Sequence, residues 1–173
     1  MIEREEQEII LTKEGLARLE TELENLKSTR REELAERIKQ AIAFGDLSEN
    51  SEYEDAKNEQ AFLEGRILNL EKTLRNARLM EESEVSAEVV TLGSRVHLQE
   101  TKSKKRMEYI LVSSVEANLQ EGKISNESPV GKAIMGQKAG ATVSVEAPVG
   151  TVKYKILRVE NSKKSNVSIN TIN

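Results

Sequence analysis

The feature that most restricts the fold of this chain is a mirrored pair of apolar heptad patterns in its first half. Residues spaced three or four positions apart are apolar from Leu16 to Ala41, except at Arg30, and again from Tyr53 to Ala77, except at Gln60. This spacing lines one face of an α-helix, and that face needs a partner helix to cover it. The two patterns mirror each other about position 47, so they predict an antiparallel hairpin with its tip at residues 45–50. Arms of about 30 residues, at 1.5 Å per residue, would make a rod roughly 45 Å long.

The turn between the two helices carries signals of its own. Gly45 can end the first helix, and either Ser48 or Asn50 can cap the second. Phe44 and Tyr53 flank the turn, and we expect both to pack at the end of the hairpin.

The first arm has one irregularity. Thr12 is a suitable N-cap at its start. Between Leu26 and Ile38, however, the positions that face the partner helix are four residues apart at every step. Such a stutter predicts a local change in the supercoil.

The second half of the chain changes period. Ser128 and Pro129 can start a short helix over Val130–Met135, which Gly136 would end. Short β-rich runs predict four strands; they cover Val89–Leu98, Met107–Ser113, Ala141–Ala147 and Thr151–Val159.

The chain is therefore expected to be an α+β protein of two domains. Residues 1–82 form the coiled-coil hairpin, residues 83–88 a linker and residues 89–160 a small globular α+β domain. The polar residues 161–173 have no periodicity and are expected to be a disordered tail.

The amino-acid composition limits the kinds of metal site that the chain can form. The 173 residues include no cysteine and a single histidine, His97, so a thiolate site is excluded and transition metals are disfavoured. Carboxylates could still bind Mg²⁺.

Residues 1–82 hold 13 Lys and Arg against 21 Asp and Glu, a net charge of −8, and residues 83–173 hold 13 against 9, a net charge of +4. This balance does not indicate a strongly basic nucleic-acid binder, so we expect contact with DNA to be weak at most. No long apolar run is present, which predicts a cytoplasmic protein without membrane contact.

The predicted tip is acidic. Residues 45–55 contain five carboxylates and no basic residue; they are Asp46, Glu49, Glu52, Glu54 and Asp55. Crowded like charges are costly unless a cation or a partner neutralises them. Asp46 and Glu49 are three residues apart, so both could bind one Mg²⁺ ion if another macromolecule completed its shell. A solvated acidic turn is the alternative.

These residues resemble a known family. Residues 45–53 (GDLSENSEY), followed by AKNEQ at 56–60, closely resemble the tip signature of the GreA transcription elongation factors of bacteria. Similar stretches at residues 11–15 (LTKEG), 62–67 (FLEGRI) and 124–129 (ISNESP) extend the resemblance over nearly the whole chain.

The resemblance implies a cofactor of RNA polymerase and not an enzyme. In this family the hairpin enters the secondary channel of the elongation complex, and the polymerase then cleaves backtracked RNA near its 3′ end. Asp46 and Glu49 match the two tip acids that share a catalytic Mg²⁺ with the polymerase, so no cofactor of the chain's own is expected. Four more residues of the matched motif would contact RNA or the channel: Ser48, Asn50, Tyr53 and Lys57.

The second half resembles the family's FK506-binding-protein-like domain, which grips the rim of the channel. The matched residues there are Ser128, Pro129 and Gly136. A fold of this kind also suggests a second hypothesis, prolyl isomerase activity. We discount it because residues 83–173 contain only Tyr109 and Tyr154 as aromatic residues to line a pocket.

The chain departs from some family members just before the tip. Those members carry basic residues that contact RNA, whereas residues 41–44 here read AIAF, and the nearest basic residues are Arg37, Lys39 and Lys57. This thin basic patch favours short cleavage products.

Other readings stay open. A channel-binding inhibitor of the same family would share the shape, and a coiled-coil chaperone or scaffold would not need the acidic tip. The basic run at residues 102–106 is interpreted as a solvated hairpin loop, with contact to an acidic polymerase surface or to nucleic acid as the alternative. His97 is interpreted as structural.

Overall fold

A computed structural model of the chain describes residues 8–45 and 50–163. The chain forms two compact units, one made mainly of residues 13–78 and the other of residues 10–12 together with the chain from residue 79 onward. No helix in the described part is both long and apolar enough to cross a membrane. Residues 164–173, most of the predicted tail, lie outside the described residues.

The first unit is the predicted helical hairpin. Its first arm consists of α1 (Lys13–Asn25), a π-helical segment (Leu26–Arg30) and α2 (Arg31–Ala43). The backbone stays in the right-handed helical region at both junctions, so this arm is continuous. The second arm is α3 (Ser51–Arg75).

Arg30 is exposed, but the other residues at the heptad positions are buried or half-buried, as the patterns predict. Six of them are between 0% and 6% exposed: Leu19, Leu34, Ala41, Ala56, Ile67 and Leu70. The stutter coincides with the π-helical segment Leu26–Arg30. A π-helix bonds residue i to residue i+5 and takes more residues per turn, so positions four apart can remain on one face.

The second unit is built on a five-stranded sheet. Its strands are β3 (Ser94–Glu100), β4 (Arg106–Val112), β5 (Lys123–Ser125), β6 (Thr142–Ala147) and β7 (Gly150–Asn161). They lie in the order β5-β4-β3-β7-β6, and neighbouring strands are antiparallel except for the parallel pair β4 and β5.

One face of this sheet packs on the core and the other faces outward. Along β3, Val96 and Leu98 are fully buried, whereas the alternate residues His97 and Gln99 are only half-buried. The core also contains Ile134 from α4 (Pro129–Ile134), the short helix that was predicted.

Three short strands were not predicted: β5, and two that pair with each other in a separate sheet. β1 (Ile9–Leu11) pairs with β2 (Ala77–Leu79). Leu11 is fully buried and its carbonyl accepts a hydrogen bond from the Met80 amide at 2.8 Å. Residues 10–12 therefore belong to the second unit, although the sequence placed all of residues 1–82 in the hairpin. Three-residue strands are too short to show alternation.

Strand boundaries also differ from the prediction. The strand predicted at Val89–Leu98 begins only at Ser94, because Gly93 turns the chain with φ of +82°. The last strand continues to Asn161, which is 7% exposed, so the predicted tail starts later than residue 161.

Candidate functional site at the hairpin tip

The two helices end and begin at the residues predicted for the turn. α2 ends at Ala43, and Gly45 follows with φ of +114°, a conformation that favours glycine. The Gly45 amide donates to the Ile42 carbonyl at 3.3 Å. On the other side, Asn50 is the N-cap of α3. Both ends of the turn are thus held by local hydrogen bonds, and residues 46–49 connect them.

Asn50 connects the two arms through one side chain. Its Oδ1 accepts from the Tyr53 amide at 3.2 Å, and its Nδ2 donates to the Ala41 carbonyl at 2.8 Å. It therefore satisfies an amide left free at the start of α3 and adds a second donor to the Ala41 carbonyl, which also accepts from the Phe44 amide at 3.4 Å. The sequence predicted Asn50 both as a cap and as a contact to RNA or the channel; the cap is confirmed.

Arg37 reaches across the arms toward the acidic residues. Its Nε donates to Glu52 at 2.6 Å and an Nη donates to Glu59 at 2.6 Å. The hydrogen bond that Arg37 donates to Glu52 is the main cause that raises the pKa of Arg37 above its usual value. Glu52 is thereby neutralised, and Arg37, one of the three nearest basic residues, is already engaged.

The remaining predicted tip residues divide into two groups. Asp46, Ser48 and Glu49 lie outside the described residues. Of the others, Lys57 is exposed and its Nζ donates to Gln60 at 2.7 Å. Tyr53 is half-buried.

Phe44 does not pack at the end of the hairpin, and that prediction was wrong. It is 87% exposed. Ala41 is the last buried residue of the first arm, and Phe44 is the C-cap that follows the final turn of α2. The spacing of the heptad pattern could have excluded it from the covered face.

Ion pairs between the arms join residues at similar distances from the tip. Arg31 holds Glu64 through two bonds of 2.7 and 2.6 Å, and Lys27 pairs with Glu71. These bonds are the main reason that the pKa values of both glutamates lie below their usual range. Exposed pairs add little stability individually, but these match the mirror symmetry read from the heptads.

In the second unit, the three residues predicted to contact the polymerase rim have local structural roles. Ser128 Oγ donates to the Ser125 carbonyl at 2.6 Å and accepts from the Gly131 amide at 3.1 Å, which caps α4. Pro129 is the first residue of that helix. Gly136 has φ of +76° and donates to the Val90 carbonyl at 2.8 Å. Their contact with a polymerase stays a prediction.

His97 lies between two carboxylates on the outward face of the sheet. Its Nε2 is 3.2 Å from Glu160 and its Nδ1 is 3.5 Å from Glu108. The hydrogen bond with His97 is the main cause that lowers the pKa of Glu160. Within residues 8–45 and 50–163, no group of three or more His, Cys, Asp or Glu could hold a metal ion.

Comparison with known families covers both units. Residues 9–79 match the family described as "Transcription elongation factor, N-terminal", and residues 85–161 match "Transcription elongation factor, GreA/GreB, C-term". The chain belongs to the GreA/GreB family of transcription elongation factors. The "Transcription elongation factor GreA" of Syntrophomonas wolfei is 69% identical over 156 residues, which are 90% of this chain and 98% of that protein. The GreA of Acetivibrio thermocellus is 53% identical over 152 residues, 88% of this chain and 96% of that protein.

Among solved structures, GreA factor homolog 1 of Thermus thermophilus is 35% identical and aligns with 89% of this chain and 99% of its own, at a TM-score of 0.42. Because this TM-score is below 0.5, the family membership rests on the sequence matches. As a GreA/GreB factor, the chain acts on RNA polymerase as an accessory protein and is not an enzyme itself.

Proposed function

We propose that this GreA/GreB factor inserts its hairpin tip into the secondary channel of the RNA polymerase elongation complex. There it stimulates the polymerase's own endonucleolytic cleavage of backtracked RNA and so releases arrested complexes. The observation that carries the proposal is the tip framework, in which Gly45 ends one arm and Asn50 ties the other arm to Ala41. Such a framework suits the delivery of a short acidic turn at the end of a rod. A factor with this partner works in the cytoplasm.

Asp46 and Glu49 are the residues that we assign to the chemistry. They belong to the four residues between the two held ends of the turn. Because Arg37 neutralises Glu52, the acids near the turn do not contribute equally to its negative charge. Metal-assisted hydrolysis of a phosphodiester needs oxygen ligands that hold the metal ion beside the scissile phosphate, and carboxylates supply them.

Mg²⁺ fits this donor set. Carboxylate oxygens are its preferred protein ligands, but two of them fill only part of an octahedral shell. We therefore assign the rest of the shell to the polymerase and its RNA. When bound there, Mg²⁺ would supply an activated water and stabilise charge on the phosphate. Asp46 and Glu49 would hold and orient this shared site; neither is expected to move a proton to a leaving group.

Other residues of the chain would position the complex. Tyr53, Lys57 and Ser48 are the proposed contacts to RNA or the channel wall near the tip. Lys57 is exposed on α3 and can exchange its neutral partner Gln60 for a phosphate. At the rim, the exposed Pro129 and Gly136 and the capping residue Ser128 are the proposed contacts.

Paired acid-to-amide variants test the proposal. Asp46→Asn and Glu49→Gln keep size and hydrogen bonding but remove a negative ligand. At saturating factor, each should bind polymerase almost normally and lose about a hundredfold of RNA cleavage in a backtracked complex, since each tenfold corresponds to about 1.4 kcal/mol.

Glu54→Gln is the matched control, because Glu54 is exposed on the first turn of α3 and is also acidic. It should cleave like the parent. The assignment fails if Asp46→Asn behaves like the parent while Glu54→Gln does not. If the parent binds the polymerase and blocks cleavage, the protein is a channel-binding inhibitor. Robust cleavage of free RNA by the protein alone would refute the cofactor role.

A further inference from the structure

The outward face of the five-stranded sheet has a concentration of positive charge at one end. Gln99 on β3 lies opposite Arg106 on β4 and opposite Lys155 on β7. Residues directly paired across strands point to the same face. Lys153, two residues from Lys155, points the same way and pairs with Ser144 on β6.

The loop between β3 and β4 extends this charge. It contributes three exposed lysines, and together we call the six cations the basic patch: Lys102, Lys104, Lys105, Arg106, Lys153 and Lys155. No ion pair within the described chain involves any of them. Two carboxylates at this end of the sheet accept hydrogen bonds from hydroxyl groups instead, Glu100 from Ser103 at 2.6 Å and Glu146 from Thr151 at 3.0 Å.

The other end of the same face is neutralised. Arg95 pairs with Glu108, and Arg158 pairs with Glu160, which also contacts His97. Cations at that end of the face are thus paired with nearby acids, and the basic patch is the part of the face that is left with excess charge. An external anion could neutralise it.

The surroundings of the patch decide which anion fits. Its neighbours across the strands are polar: Gln99, Thr142 and Ser144. Protein interfaces rely on buried apolar and aromatic anchors. The exposed apolar side chain beside Arg106 is Leu157, in a pocket that also contains Met107, and this single leucine is small compared with six cations. Both aromatic residues of the unit, Tyr109 and Tyr154, pack against the core, so unpaired bases would find no ring to stack on. Lysine, hydroxyl and amide groups are the ones that contact phosphate oxygens.

We propose that the basic patch binds the sugar–phosphate backbone of double-stranded nucleic acid without sequence preference. The patch lies on two strands, β4 and β7, and on the hairpin loop between β3 and β4, so its cations can reach several consecutive phosphates. Binding is weak and strongly salt-dependent, since the whole chain has a net charge of −4. This inference does not depend on the proposed cleavage function.

Fluorescence anisotropy with a labelled duplex of about 20 base pairs and the full chain tests it. If three to four phosphates are contacted, the logarithm of the binding constant should fall with the logarithm of salt concentration with a slope of about −3. Arg106→Gln, Lys153→Gln and Lys155→Gln combined should reduce the slope to near −1 and weaken binding at low salt by at least tenfold. A single strand of the same sequence should bind less tightly than the duplex.

The matched control removes three positive charges elsewhere in the unit, with Lys132→Gln, Lys138→Gln and Lys163→Gln, and should bind nearly like the parent. A second variant changes only the loop lysines 102, 104 and 105, which lie outside the strands, and covers the case in which the first variant fails to fold. The proposal is overturned if the parent does not bind duplex, or if the control loses as much as the patch variants. It is also overturned if the folded patch variants bind duplex normally and lose affinity for polymerase, because the occupant is then an acidic protein surface.

Discussion

Replacing Asn50 by alanine tests whether this residue builds the tip or contacts a partner. The change removes the acceptor for the Tyr53 amide, at 3.2 Å, and the donor to the Ala41 carbonyl, at 2.8 Å. Loss of an N-cap costs about 0.5–2 kcal/mol, and loss of a further part-buried hydrogen bond costs about 1 kcal/mol. We therefore expect the hairpin to lose about 2 kcal/mol of unfolding free energy.

Asn50→Asp separates the two contributions. Aspartate keeps an oxygen for the Tyr53 amide and places a negative charge at the positive end of α3, which is favourable. It cannot donate to the Ala41 carbonyl, so its cost should come from that bond alone, about 1 kcal/mol. Urea unfolding followed by helical circular dichroism measures both variants against the parent.

The functional readout distinguishes the two roles of Asn50. If it is part of the framework, cleavage stimulation should fall in the order parent, Asn50→Asp, Asn50→Ala, in parallel with stability. The reasoning is refuted if Asn50→Ala unfolds at the same urea concentration as the parent and yet stimulates no cleavage. That result would make Asn50 a direct contact to RNA or the channel.

Three further predictions concern the second unit. Gly131→Ala should destabilise it by about 3 kcal/mol, because a Cβ there would lie 2.0 Å from a backbone carbonyl oxygen of β5; a melting temperature equal to the parent's would contradict this. Thr12→Val removes the 2.5 Å hydroxyl bond to the buried carboxylate of Glu116 and should cost about 2 kcal/mol in denaturant unfolding, with Thr12→Ser as the rescuing control. The lowered pKa of Glu160 contributes stability above the ordinary pKa of a glutamate, and this contribution is lost as pH falls through the lowered value; His97→Gln should therefore flatten the acid side of a stability–pH profile.

The hairpin could be predicted from the sequence because its periodicity is long and local. Most heptad positions from Leu19 to Leu70 are apolar and buried or half-buried, so an exception such as Arg30 does not change the prediction. The caps were predictable for the same reason, since Gly45 and Asn50 act on backbone groups within a few residues. Even the stutter had a structural counterpart in the π-helical segment.

What could not be predicted depends on residues far apart in the chain. The pairing of Arg37 with Glu52 and Glu59 changes which tip acids carry free charge, but it requires the exact rotation of both arms. The membership of residues 10–12 in the second unit rests on backbone bonds and on a carboxylate more than 100 residues away. Neither of these two sets of contacts produces a periodic pattern in the sequence.

Stiffness and register come from different residues in the hairpin. Apolar contacts hold the two ends of the first arm, at Leu19 and again from Leu34 to Ala41. Between them the heptad positions are the half-buried Leu23 and Leu26 and the exposed Arg30. Near Arg30, ion pairs such as Arg30 with Glu59 and Arg31 with Glu64 join the two arms. Apolar side chains can slide by one turn with little loss, whereas bidentate charged pairs have one geometry. The ion pairs in the middle of the rod therefore favour one register of the two arms, and this register determines which residues meet near the tip. Because these pairs are exposed, salt and acid weaken this part of the hairpin first.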